Sequence, residues 1–162
     1  MRKFKKFICF ITGITLVRYI KRRIELKKEL ELISTFPKVK SFLFKKKNLI
    51  VKTMPIKMDG HLLGDFEIII KTKNIYDVLN IQNLTGKRRI RDSIYHHPHI
   101  WSSWILNTEP TFCLGNISVE VKWLIQEKEY SAVVLLLIQF LEEGYGWEEW
   151  EKEECLSHWP EI

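Results

Sequence analysis

Apolar residues recur at three- and four-residue spacing from about Thr15 to Ser34. Leu16, Tyr19, Ile20, Leu26, Leu30 and Ile33, with the stem of Arg23, form the stripe, and Lys, Arg and Glu lie between them. This predicts an amphipathic helix that Pro37 ends. The period then falls towards two. Val39 to Phe44 and Leu49 to Ile56 read as strands joined at residues 45–48. Met58-Asp59-Gly60-His61 is a turn signal. Leu62 to Lys71, with Phe66, Ile68 and Ile70 on one face, reads as a third strand, and Ile75 to Ile81 as a fourth. Sequential strands this closely spaced predict an antiparallel meander.

Asn83 to Asn116 follows neither period. It carries Gly86, Pro98, Pro110, three His and two Trp, and reads as a long loop; structureless runs of that length in a compact domain are usually functional. Tyr130 to Glu143 is helical and apolar without a break from Ala132 to Ile138, the signature of a buried helix, closed by Gly144. An acidic tail with Trp147, Trp150 and Trp159 reads as a last helix packing its aromatics on the core. The predicted class is therefore α+β: an N-terminal helix, a four-stranded antiparallel meander, a long loop, a buried helix and a C-terminal helix.

Composition sharpens this picture at three points. With 162 residues and 46% hydrophobic content the chain suits one domain with a real core. Charge is polarised: residues 1–47 hold 15 Lys/Arg and 3 acids (15 − 3 = +12), while residues 141–162 hold one Lys and 8 acids (1 − 8 = −7). A basic start suits nucleic acid, anionic lipid or an acidic protein, or is simply a solvated helix and strand. No nucleic-acid-binding motif accompanies it, so nucleic acid is not the expected partner. Cys9, Cys113 and Cys155 are too few and too scattered for a disulfide framework, which predicts reduced thiols and a cytoplasmic setting. Phe7 to Val17 is mostly apolar but well short of the roughly 20 residues of a spanning helix. Residues 1–19 read as a basic, apolar extension or the start of the first helix, with contact to a membrane surface the alternative.

Candidate chemistry concentrates in the loop. A thiolate nucleophile needs exposure and a supportive electrostatic setting, and Cys113 lies on the loop with His96, His97 and His99 upstream. The structural alternative is a small buried core cysteine. His99 suits an N–H donor or a base, and equally a ring that fixes a tight turn. For His97 the structural role leads, and His96 is expected at solvent. Asn116 either donates near the thiol or caps the following segment. His97, His99 and Cys113 are also possible zinc ligands, but no second Cys or HExxH pattern supports this, so neither metal nor cofactor is expected. Trp101 and Trp104 either fill a groove or mark a partner surface. Asp92, Glu109 and Glu120 are charged candidates, with a solvated surface role the alternative.

The element order together with Tyr95-His96-His97-Pro98-His99-Ile100 and Cys113-Leu114-Gly115-Asn116 resembles the ubiquitin-conjugating enzyme superfamily. Phe66 in Gly64-Asp65-Phe66-Glu67-Ile68 matches the aromatic of that family's third strand, and Leu135 to Leu141 its buried helix. The likeness covers residues 20–141, and residues 20–162 read as a single conjugating-enzyme-like domain. His99 stands where the family has the Asn of a His-Pro-Asn triplet. The triplet lies farther from the cysteine than is usual, which is similar to the prokaryotic and viral branch. The resemblance implies an acyltransferase that carries a ubiquitin-like modifier as a thioester on Cys113. His99, His97 and Asn116 would assist it. It implies an activating enzyme and a target protein as partners, in a setting such as antiphage defence, with a catalytically inactive binding variant of the same fold as the alternative.

Overall fold

In the computed structural model, helix α1 (Arg2–Ile33) leads into strands β1 (Val39–Lys45), β2 (Asn48–Thr53), β3 (Ile56–Met58), β4 (His61–Gly64), β5 (Phe66–Lys71) and β6 (Leu79–Asn83). Four short strands follow: β7 (Arg88–Ile90), β8 (Ser93–His97), β9 (Ile100–Ser103) and β10 (Thr111–Phe112). A 3-10 turn (Gly115–Ile117) then opens α2 (Ser118–Glu127), and α3 (Tyr130–Glu143) follows; farther on, Glu153, Cys155 and Leu156 are again helical, and the Ser157 N–H donates to the Glu153 carbonyl (3.0 Å). The structure describes residues 2–72, 79–90, 92–103, 105–106, 108–144, 153 and 155–162, without the side chains of residues 2–16, 112 and 116.

The architecture is α+β, with an N-terminal helix, antiparallel sheets and helices towards the C-terminus. The principal sheet runs β1-β2-β5-β6, every pair antiparallel. Its alternation is what the sequence carries. Leu49 and Val51 of β2, Phe66, Ile68 and Ile70 of β5, and Leu79 and Ile81 of β6 are buried on one face. The opposite face is mixed: Leu43, Ile50 and Ile69 form an apolar cross-strand row, while Gln82 donates to Glu67 (3.0 Å) and Lys52 lies 3.8 Å from the same carboxylate. Onto the apolar face pack Val133, Val134, Leu137, Ile138, Phe140 and Leu141 of α3, all buried in one shared core.

Helix α1 is held to α3 at a defined point. Glu129, at the N-cap of α3, makes no side-chain cap. Glu29 of α1 supplies it instead, accepting the Ser131 N–H (2.8 Å) and the Ser131 hydroxyl (2.7 Å). A carboxylate there meets an otherwise unsatisfied helix N–H and the positive end of the helix dipole. Leu26, Leu30 and Ile33 complete the contact with the core. At the other end of α3, Gly144 adopts φ +62° and donates to the Phe140 carbonyl; a Cβ there would strike the Met58 side chain.

Several expectations are corrected. The third strand is two elements: the Met58–His61 turn closes a β3–β4 hairpin, and only Phe66–Lys71 joins the principal sheet. The fourth strand begins by Leu79; residues 73–78 lie outside the described set. Most consequentially, the stretch read as a long loop holds a second antiparallel sheet, β10-β9-β8-β7. Its strands are two to five residues long and the register shifts between Tyr95 and His97, so no window is long enough to display a period. Helix α2 was not anticipated either, although Val121, Leu124 and Ile125 are its buried face. Trp159 packs into the core as expected and donates to the Gly86 carbonyl (2.7 Å). Trp147 and Trp150 lie outside the described residues.

Candidate active site

The second sheet determines where Cys113 lies. β10 pairs with β9 through Thr111↔Trp101 and Phe112↔Ile100, and the ladder continues one step further. The Cys113 N–H donates to the His99 carbonyl at 3.0 Å. On the other side, Leu114 is buried and its carbonyl accepts from Ile117, itself in the core. Gly115 takes φ +52°, a left-handed conformation that favours glycine. The cysteine backbone is therefore fixed on both sides while the side chain is exposed. An accessible thiol on a fixed main chain meets the exposure that a cysteine nucleophile needs; the other need is a group that favours the thiolate.

The triplet beside it forms an interior lock. Pro98 is buried, and His97 and His99 are 0% and 3% exposed. His97 Nδ1 accepts the His99 N–H (3.1 Å), so that nitrogen carries no proton. Its Nε2 therefore bears the hydrogen and donates to the Leu141 carbonyl at 3.1 Å. Leu141 lies in the last turn of α3, where carbonyls lack an intrahelical donor. His97 thus fixes the Pro98 turn with one nitrogen and ties the end of α3 with the other. Its ring stacks on His99 (5.9 Å between centroids) and lies against Phe140 and the edge of Phe66. The His99 ring also packs on Phe140, at 5.5 Å, so what His99 offers Cys113 directly is its main-chain carbonyl.

His96 is not at solvent, contrary to expectation. It is 4% exposed, accepts the Asn83 N–H on Nδ1 (3.1 Å) and turns Nε2 towards Ser102 Oγ (3.4 Å). The alternation of β8 does not place it outward because the register breaks between Tyr95 and His97. Burial, reinforced by the charge of Lys87, lowers its pKa from the ordinary 6.5 to about 4.

The partner of His96 is a residue the sequence reading passed over. Asn83 is fully buried where β6 ends. Its Nδ2 donates to the Leu63 (2.7 Å) and His96 (2.9 Å) carbonyls. Its Oδ1 accepts from Thr85 (3.0 Å) and Gly86 (2.6 Å). One amide thereby fastens β4, β6 and β8 around the Thr85-Gly86 turn. Gly86 cannot be larger, since a Cβ would collide with the Leu63 carbonyl. The available signal was Asn83-Leu84-Thr85-Gly86: Asn followed by small turn residues is an Asx-turn pattern.

The remaining candidates are dispersed. Asn116 is in the 3-10 turn and its side chain lies outside the described set, as does Trp104. Trp101 is exposed, opposite Thr111. Glu109 is exposed and accepts from Asn80 (3.3 Å); Glu120 sits in the first turn of α2. Among the described residues no three His, Cys, Asp or Glu side chains gather as a metal site. No protein-family model matches the chain, and neither does a curated protein or a solved structure.

Proposed function

We propose that the protein carries a ubiquitin-like modifier as a thioester on Cys113. The observation that carries this reading is the exposed Cys113, main-chain bonded to His99 of the His-Pro-His turn and followed at once by the 3-10 turn and α2. The Cys113 thiolate attacks the modifier's C-terminal thioester on an activating enzyme and releases that enzyme's cysteine as thiolate. A target amine then attacks the new thioester, the C–S bond breaks, and the amine loses its proton as the amide forms. In this scheme His97 and His99 are positioning residues. They hold the main chain at Cys113, through the His99 carbonyl and the His97 bond to the His99 N–H. The His99 ring and Asn116 are the two candidates for a donor to the tetrahedral oxyanion. The chemistry needs no metal or organic cofactor.

The burial of His99 favours a second reading, a binding variant of the same fold that holds the modifier without transferring it. One experiment separates the two. The protein is mixed with an activating enzyme, its modifier and ATP and run on a non-reducing gel. A thiol-sensitive adduct that is lost in Cys113→Ala, and becomes thiol-resistant in Cys113→Ser, is the expected result. No adduct in a mixture where the activating enzyme is itself charged sinks the carrier reading.

A further inference from the structure

Helix α1 contains more apolar surface than the domain uses. Its packing on the core begins at Leu26 and continues through Glu29, Leu30 and Ile33. Upstream of that, Val17, Tyr19, Ile20 and Ile24 are 66%, 55%, 47% and 52% exposed. Val17, Ile20 and Ile24 share one exposed face at three- and four-residue spacing, and upstream of them the sequence is apolar around the helix, with Phe7, Phe10, Ile11 and Ile14 spread over more than one face. The backbone is helical throughout, from Arg2 to Ile33.

Charge frames this stripe. Eight Lys/Arg and no Asp or Glu precede Glu25, and none of the eight falls between Phe7 and Val17. Lys3, Lys5 and Lys6 stand at one end and Arg18, Lys21, Arg22 and Arg23 at the other. The uncharged stretch of eleven residues is about 16 Å of helix, near half the bilayer's hydrocarbon thickness. Among the described residues no helix is long and apolar enough to cross a membrane. The guanidinium of Arg23 lies over the Tyr19 ring at 5.5 Å, so an amphipathic aromatic and a cation stand together at the end of the stripe.

We propose that the first two-thirds of α1 binds the surface of an anionic phospholipid bilayer. The apolar stripe enters the headgroup–acyl boundary, and the flanking Lys and Arg meet lipid phosphates and carboxylates. Each half alone is weak; together they form the pairing of signals that makes surface binding stable. Nucleic acid would satisfy the charges but leave the exposed Val17, Ile20 and Ile24 without a partner. The inference does not depend on Cys113.

The test is co-sedimentation of the full chain with vesicles of phosphatidylcholine alone and of phosphatidylcholine with phosphatidylserine, at low and high salt. Binding is expected only to the phosphatidylserine vesicles. Replacing Arg18, Arg22 and Arg23 together by Gln should weaken it by about two orders of magnitude, at about fivefold per basic residue. Ile20→Ser with Ile24→Ser should also weaken it, because exposed apolar contacts are lost while the fold is untouched, as circular dichroism would verify. Equal binding to both vesicle types, binding indifferent to the Ile20/Ile24 pair, or a preference for single- or double-stranded oligonucleotides over phosphatidylserine overturns the proposal.

Discussion

His96 makes the stability of this domain respond to pH in a calculable way. Folded, the ring is buried, takes the Asn83 N–H on Nδ1 and titrates at about 4; unfolded, it returns to the ordinary 6.5. Between those values the unfolded chain holds one proton more than the folded one. Stability therefore falls as pH drops from 6.5 towards 4, by up to about 1.4 kcal/mol per pH unit, and this contribution levels off below 4. The full difference amounts to roughly 3 kcal/mol, a sizeable part of the 5–15 kcal/mol, roughly, by which domains are stable. The assay is urea unfolding followed by tryptophan fluorescence at several pH values in wild type and His96→Asn. The Asn oxygen stands near the place of Nδ1 and can still accept the Asn83 N–H, but it does not titrate. Carboxylates titrate in the same window in both proteins and cancel in the difference. The two stabilities should converge by roughly 3 kcal/mol between pH 7 and 4. Parallel profiles would mean that His96 is protonated without cost in the folded protein, and the argument from burial would fail.

Two substitutions test the joints around the site. In Asn83→Asp both amide donors become acceptors facing the Leu63 and His96 carbonyls, so urea unfolding should show a loss of at least about 3 kcal/mol; a loss below about 1 kcal/mol refutes the assigned network. In Glu29→Gln the cap on α3 loses its charge but keeps an oxygen, and about 1 kcal/mol should be lost. The Tyr130 phenol is raised chiefly by burial, opposed by a Thr72 hydrogen bond and raised further by the charge of Glu29; it should titrate lower in that variant yet stay above its ordinary value, read by ultraviolet absorbance.

What the sequence made legible follows segment length. α3 was read at its true bounds because fourteen residues give several turns of one pattern, and β1 was placed to within a residue for a similar reason. β5 was recognisable from Phe66, Ile68 and Ile70, but Leu62 and Leu63 were drawn into it because apolar runs hide a hairpin boundary. β7 to β10 were invisible as strands. Their pairing is set by partners distant along the chain, and Pro98 and Gly86 read as loop markers while serving as the turns between short strands. The same holds for the site. Cys113 was conspicuous as a chemical group, but the surroundings of His96, His97 and His99 depended on α3 and Asn83, which no local window contains.

The hairpin accounts for the long separation of the His-Pro-His triplet and Cys113 along the chain. Fifteen residues lie between His97 and Cys113. As a slack loop, that length would set the cysteine adrift from the triplet. As an antiparallel hairpin it does not, because the arms pair from the base outwards: His99 with Cys113, Ile100 with Phe112, Trp101 with Thr111. Residues added beyond Trp101 and before Thr111 lengthen the far end and leave the base in register. Spacing along the chain is thus decoupled from distance in space. What holds Cys113 in place is instead the anchoring of the base, through the His97 bond to Leu141 and the buried Leu114 and Ile117. The His-Pro-His turn acts on the cysteine through this framework, with its imidazoles buried and the His99 carbonyl holding the Cys113 N–H.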